Sequence, residues 1–323
     1  MSDPEPKYIL RAALPPIYCI HFWRSGTQDV ILCGCEDGKV YAWDLETARI
    51  NKVPVITAGS SLCMSMSSAD DILVTQDKSG GVKLWSLGQS TWSTLHTIGL
   101  EYFGFCHVCI SKEGSGLLVC PRHCGTLDVY AVKTAERCLT LKSASESQKL
   151  GEVMSVKLVF LSGIPYVLAA YENNEIHMWD LRGKSSVCKY QVPACPTALD
   201  FDDSSSMGLC GSVSSKISVF KLENNSTFTT IAEVKLQARG VSCIQIEPER
   251  NYVAVGCWNK NIQLLSWKNK VMCSPVSITV HKDAVQDICF SSWPVPSWES
   301  KGLMAACSKD SQVSLWDFTD TIF

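Results

Sequence analysis

Short apolar runs alternate with polar turns along the whole chain, and one unit recurs seven times. It consists of an apolar run, a short polar turn, and a second run that closes on an aromatic or large aliphatic residue. It reads ILCGCEDGKVYAWDL closing at Trp43, ILVTQDKSGGVKLWSL at Trp85, LLVCPRHCGTLDVYAV at Tyr130 and VLAAYENNEIHMWDL at Trp179. It continues as GLCGSVSSKISVFKL at Phe220, VAVGCWNKNIQLLSW at Leu265 and LMAACSKDSQVSLWDF at Trp316. Runs of this length bounded by turn residues predict β-strands, here joined in hairpins. A second pattern precedes the unit: Ile17/Ile20/Phe22, Phe105/Val108/Ile110, Val153/Val156/Leu158, Val241/Ile244/Ile246 and Val285/Ile288/Phe290. Its last two positions lie two apart and share one face of a strand. The first lies three away, which predicts a β-bulge. This pattern is read as the innermost strand of each unit.

The closing positions are separated by 42, 45, 49, 41, 45 and 51 residues. A period of about 40–45 residues, four strands and a Trp-Asp close is the mark of a WD40 propeller blade. The expected fold is therefore all-β, a single seven-bladed WD40 β-propeller over residues 1–323. The chain stops at Phe323, too soon after Trp316 for a fourth strand of the last blade. The run Lys7–Ala13, KYILRAA, is a spare strand, and an N-terminal strand that completes the last blade covers an otherwise open edge.

Composition narrows the class. Lys plus Arg is 29 against 32 Asp plus Glu, a net charge of −3 that argues against a nucleic-acid partner. With 46% hydrophobic and 19% charged residues, wholesale disorder is excluded. The 17 cysteines are odd in number and scattered, which points to a reduced compartment and to Cys as a small apolar residue rather than to a disulfide framework. The first residues, MSDPEPKYIL, have neither the basic nor the apolar region of a signal peptide. The most apolar stretch, Met154 to Tyr171, is broken by Ser-Gly-Ile-Pro and reads as two strands joined near Ser162–Pro165 rather than a membrane span.

In the last unit His281, Ser308, Asp310 and Trp316 match the polar tetrad of a well-formed blade, in which buried ring N–H groups find partners. The same residues could be taken as a Ser-His-Asp triad, but a triad also needs an oxyanion hole and an exposed nucleophile. Other units are degenerate: Cys35, Tyr171 and Cys257 stand where Ser is expected, and Asn173 and Asn259 stand for the turn Asp. Cys106, Cys109, Cys120 and Cys124 approach a zinc spacing, yet Cys106 and Cys109 are three apart on an expected strand and would face opposite ways. Gly34–Lys39 is one residue short of a phosphate loop, and neither G-x-S-x-G nor H-E-x-x-H occurs. His21, His107 and Asp200 lie on expected inner strands of three separate units, without a motif. No catalytic residues, no metal and no cofactor are expected.

Binding positions are sought on the rims instead. The turns between second and third strands carry Arg122, Tyr171, Asn173, Trp258 and Asn259, with Trp258 the candidate anchor, since aromatics and Arg are enriched at interfaces. The insertion Ser291–Gly302, SSWPVPSWESKG, holds Trp293 and Trp298 between prolines. It is either a binding loop or a local cap over the blade edge. The polar linker Lys142–Gly151, KSASESQKLG, is a candidate phosphorylation segment. Trp179-Asp180-Leu181-Arg182 matches the W-D-x-R pattern of substrate receptors for cullin-type ubiquitin ligases.

Beyond the WD40 superfamily, the chain resembles the G-protein β-subunit-like family that includes the ASTRA-associated WD40 proteins. The segments that carry this are EYFGFC (Glu101–Cys106), AAYENNEIHMWDL (Ala169–Leu181), ALDFDDSSSMGLCGS (Ala198–Ser212), HKDAVQDICF and AACSKDSQVSLWDF. The propeller is expected to be monomeric, and the resemblance implies a non-enzymatic adaptor. It implies work with the Tel–Tti co-chaperone complex in the maturation of PI3-kinase-related kinases, in cytoplasm and nucleus. True G-protein β subunits carry an N-terminal coiled-coil helix; MSDPEP has no heptad, so no γ subunit is expected, and no membrane partner either.

Overall fold

The computed structural model describes residues 5–26, 28–102, 104–111, 116–143, 149–224, 226–249, 251–267 and 275–317. Each recurring unit forms the second and third strands of an antiparallel sheet, and there are seven sheets. They fall into two compact units, Met1–Met66 with Lys235–Phe323, and Ser67–Val234.

The first unit holds the sixth, seventh and first blades. The sixth is Val241–Ile246, Tyr252–Cys257, Asn261–Ser266 and Val276–Thr279. The seventh runs Val285–Phe290, Leu303–Ser308 and Gln312–Asp317, and its fourth strand is Tyr8–Arg11 from the other end of the chain. The register sets Tyr8 against Leu315 and Leu10 against Val313. The first blade is Ile17–Ser25, Gln28–Cys35 and Lys39–Asp44, and here the expected single fourth strand is two short pieces, Arg49–Ile50 and Ile56–Thr57. The break is local: the Asn51 side chain accepts the Val53 N–H, which turns the chain out of the ladder.

The second unit holds the greater part of four blades. The second blade is Cys63–Ala69, Ile72–Asp77, Gly81–Leu87 and Trp92–Gly99. The third is Cys109–Ile110, Leu117–Pro121, Leu127–Ala131 and Arg137–Leu141. The fourth is Val153–Leu161, Ile164–Tyr171, Glu175–Asp180 and Ser185–Gln191, its first hairpin closed by Ser162 and Gly163, both at positive φ. The fifth is Pro196–Asp202, Met207–Ser212, Lys216–Glu223 and Thr227–Lys235.

The bulge expected from the x-x spacing is present. The ladder slips by one residue after Ile17, Val153, Val241 and Val285, and also after Pro196. The extra residue turns the strand entry, so both halves of the pattern can point into the core. The third blade departs from it. Phe105 is 75% exposed rather than inward, and its strand begins only at Cys109. Tyr102 occupies the interior instead, with its hydroxyl donating to the Val153 carbonyl (3.0 Å) and accepting the Cys106 N–H (3.1 Å). Cys106 therefore lies in the preceding loop, and the opposite-faces argument for Cys106 and Cys109 does not apply.

Cores form between consecutive sheets. In the first unit Leu10, Val313, Leu315 and Leu303 pack with Ile20, Ile31 and Trp43. In the second, Val129, Leu118 and Val153 pack with Tyr171 and Trp179. Cys19, Cys33, Cys35, Cys63, Cys120, Cys210, Cys243, Cys257 and Cys307 are buried, and every described cysteine is a free thiol. Burial pushes Cys35 and Cys210 up to about 12, so these thiols stay neutral and pack as small apolar groups. Among the described residues no helix is long and apolar enough to cross a membrane.

Candidate functional site

The hydrogen-bonding of the closing Trp explains most polar positions. In the second blade Trp85 donates to Thr75 Oγ1 at 2.9 Å, from ten residues earlier on the neighbouring strand. In the fourth, Trp179 donates to the Tyr171 hydroxyl at 3.0 Å. In the seventh, Trp316 donates to Ser314 Oγ at 3.0 Å. Ser314 meets His281 Nε2 at 3.0 Å, and His281 Nδ1 meets Asp310 Oδ2 at 3.2 Å. His281, Asp310 and Trp316 are thus brought together, but the hydroxyl between them is Ser314 and not Ser308. Ser308 sits at the strand end, level with the 281–284 loop, where it donates to the Asp283 carbonyl (2.8 Å). Ala306 faces Ser314 across the ladder and offers no hydroxyl, so the third strand supplies one. Burial alone would raise the Asp310 carboxyl; the hydrogen bonds from His281 and the Lys282 N–H hold it below its ordinary value.

The first blade lacks such a partner. Cys33 stands in the register of Thr75, and the Trp43 indole N–H is buried without a hydrogen-bond partner among the described residues. Cys33→Ser, nearly isosteric, is expected to raise stability by about 0.5–1.5 kcal/mol, the net value of a new buried hydrogen bond. Urea unfolding of both proteins checks this; an unchanged or lower midpoint rejects it.

Tyr171 is fully buried, which removes it as a surface contact: its hydroxyl is the acceptor for Trp179. Asn173 and Asn259 use their side chains to close turns, taking the N–H of Glu175 (3.1 Å) and Asn261 (3.3 Å), as Asp37 and Asp310 do in other blades. Arg122 lies 3.7 Å from both Glu101 and buried Asp128. Trp293 and Trp298 are half-buried, and the first blade takes both indole N–H groups: Trp293 donates to Asp29 Oδ1 at 2.9 Å and Trp298 to the Leu45 carbonyl at 2.6 Å. Arg24 stands over the Trp293 ring and Tyr8 meets Trp298 edge-on. Around Val295 the insertion is therefore a strap from the seventh blade onto the first. Trp179 is buried, and Arg182 is bound to Asp180 through two guanidinium contacts (2.7 and 3.1 Å); these hydrogen bonds draw the carboxyl down to about 2. Part of the polar linker, residues 144–148, lies outside the described residues.

Two constellations were missed in the sequence because their members come from different strands. Ser186 Oγ is 3.1 Å from His177 Nδ1, whose Nε2 is 3.0 Å from Glu175 Oε2. The line resembles a triad, but Ser186 also faces the Cys188 carbonyl at 3.5 Å, an acceptor where an oxyanion would need donors. The second is Asp287, which accepts the N–H groups of Ile20 (3.1 Å) and Ile288 (2.9 Å) across the seventh and first blades. Burial pushes its carboxyl up to about 7 against those two hydrogen bonds. A carboxyl raised on folding keeps its proton where the unfolded chain has lost it. Its contribution is therefore fully present below about pH 4 and lost as pH rises through 7. The Asp287 contribution to melting temperature is expected to fall between pH 5 and 8, in the same direction as Asp203 and Glu247, also raised by burial, and against His107, which burial holds down to about 4. Asp287→Asn should flatten that fall; an unchanged slope in a pH series of thermal melts would remove Asp287 as its source.

His21 and Asp200 lie on first strands, and His107 precedes one; Asp200 is paired with Lys157 at 2.5 Å. Among the described residues no group of three or more His, Cys, Asp or Glu could hold a metal ion. What the rims do present is large apolar side chains: Trp258, 50% exposed, in the first unit and Phe105 in the second.

The family model of the WD domain, G-beta repeat, matches residues 4–44. Over 327 residues the chain is 23% identical to guanine nucleotide-binding protein subunit beta-like protein 1 of Mus musculus, covering 97% of this chain and 96% of that protein. It is 20% identical to striatin of Mus musculus over 78% of this chain, which spans only 34% of striatin. A chain in the crystal structure of the mitotic checkpoint complex superposes with a TM-score of 0.74 at 15% identity, over 98% of this chain and 93% of that one. With seven blades and the seventh closed by the N-terminal strand, the fold is a seven-bladed β-propeller.

Proposed function

We propose that this WD40-repeat chain, which resembles the G-protein β-subunit-like family, is a scaffold on which other proteins assemble, and that the partners are those the resemblance implies. The observation that supports a scaffold is the contrast between interior and rim. The polar constellations above are used in holding blades and turns together, while Trp258 and Phe105 are left exposed in loops. Propellers of this class act through such rims. The similarity to a beta-like protein over nearly the whole of both chains supports the adaptor reading. The finer reading is an adaptor for the Tel–Tti co-chaperone complex in the maturation of PI3-kinase-related kinases, in cytoplasm and nucleus.

Affinity purification of the full chain with crosslinking and mass spectrometry tests this. Recovery of Tel–Tti subunits or PI3-kinase-related kinases is the expected result. Cullin adaptors in their place would favour the ligase-receptor alternative, in which Arg182 must exchange Asp180 for a partner. Recovery of no protein partner overturns the scaffold reading.

A further inference from the structure

We propose that the turn end of the sixth and seventh blades is a docking surface for an acidic segment of a protein partner, with Trp258 as its apolar anchor. The inference rests on the scaffold reading and names the class of partner it would hold.

Trp258 is held in place rather than loose. Its backbone N–H donates to the Gly240 carbonyl at 3.1 Å, and its ring lies directly on Gly240. Gly240 has a φ of +79°, and a Cβ there would overlap the indole. The glycine is a flat seat that holds one ring face and leaves the other to solvent. An aromatic pre-positioned in this way loses little freedom on binding.

The cations around it set the partner's charge. Arg239 directly precedes the glycine seat, and Lys260 follows Trp258 in the same turn. Lys282 and Lys309 stand on the two facing loops of the seventh blade, fixed by the Lys282 N–H on Asp310 Oδ2 (2.8 Å) and the Lys309 N–H on the Ala284 carbonyl (3.4 Å). The two blades abut here: a Cβ on Gly256 would stand 2.9 Å from Val285. All four basic residues are exposed, and none of their charged groups forms an ion pair among the described residues. Lys309 rests over the Tyr18 ring at 5.4 Å. Carboxylates also stand on these loops: Asp283 and Glu36, both exposed and charged, take the Ala284 N–H and the Tyr18 hydroxyl, and Asp310 is turned inward on His281.

A chain of net charge −3 thus carries, on the loops flanking one exposed indole, four cations without an ion pair among the described residues. Such a patch attracts a partner of opposite charge, and the indole asks for an apolar residue among the acids. An acidic protein segment satisfies both demands. A nucleic acid would call for a longer basic stripe and an overall positive charge.

The test is fluorescence anisotropy of the full chain with a fluorescein-labelled, glutamate-rich peptide that carries a central Leu-Phe pair. Binding that weakens between about 50 and about 300 mM salt is expected, since exposed charges are screened over that range. Trp258→Ala should weaken it about tenfold or more, the size of an interface aromatic anchor. Lys260→Glu with Lys282→Glu should abolish it, both variants melting at the wild-type temperature. No binding by the folded wild type overturns the proposal. So does equal binding by the variants, or tighter binding of a single-stranded oligonucleotide of matched charge. Repeating the crosslinked purification with the Lys260→Glu/Lys282→Glu chain separates the two readings. An unchanged partner set removes this surface and leaves the scaffold standing. Loss of a partner that wild type recovers supports the surface. A wild type without partners removes the scaffold whatever the peptide does.

Discussion

Deletion of residues 1–13 is expected to yield insoluble protein without a cooperative melt. The seventh blade draws its fourth strand from the N-terminus, and the four ladder pairs from Tyr8–Leu315 to Arg11–Gln312 would all be lost. So would Leu10, which is buried among Ile31, Leu303, Val313 and Leu315. Lys7 also ties the strand to Asp317 at 3.0 Å, and Arg11 Nε donates to Gln312 Oε1 at 3.0 Å. The deletion leaves the third strand as an open edge over an exposed apolar cluster, the condition under which strands pair with other chains. A domain stable by about 5–15 kcal/mol does not absorb the loss of a strand. A graded variant separates edge exposure from core loss. Leu10→Ala keeps the ladder and should cost about 2–5 kcal/mol while remaining soluble. A truncated protein that stays soluble and melts cooperatively would show that the seventh blade does not need this strand.

Trp316→Ala is expected to cost about 3–5 kcal/mol, because it empties a fully buried site and strands Ser314 and His281 together. Trp316→Phe keeps an aromatic ring but loses the N–H donor and part of the buried volume, so about 1–3 kcal/mol should go. Ser314→Ala removes the acceptor of the indole and the partner of His281 Nε2 at once, and about 1–3 kcal/mol is expected. Because these groups share one network, Ser314→Ala with Trp316→Phe should cost less than the two singly, and urea unfolding of the four proteins forms the cycle. If Ser314→Ala were silent, the network would not be holding the blade.

The blades were legible because each strand pair repeats the same apolar face, and burial of that face depends on alternation alone. Even the bulge could be read, since a spacing of three in a strand cannot keep one face without an extra residue. Phe105 could not. Its position fits the pattern, but Tyr102 competes for the same interior space and also satisfies Val153 and Cys106, and such competition involves residues some fifty positions away. Tyr171 was misplaced for a similar reason: its position in the chain belongs to the turn end, yet its hydroxyl reaches back to Trp179.

By itself, then, the sequence determined the number of blades, the strand that closes the last one, and the use of cysteine as an apolar residue. All three follow from local period and composition. Only the tertiary structure decided that Ser314 rather than Ser308 joins His281 to Trp316, that the Trp293 and Trp298 loop is a strap, and that Trp258 lies on Gly240 with one face free. These depend on which strand's hydroxyl, carbonyl or glycine comes within about 3 Å of a given ring, a distance set by register and packing between elements that spacing along the chain does not encode.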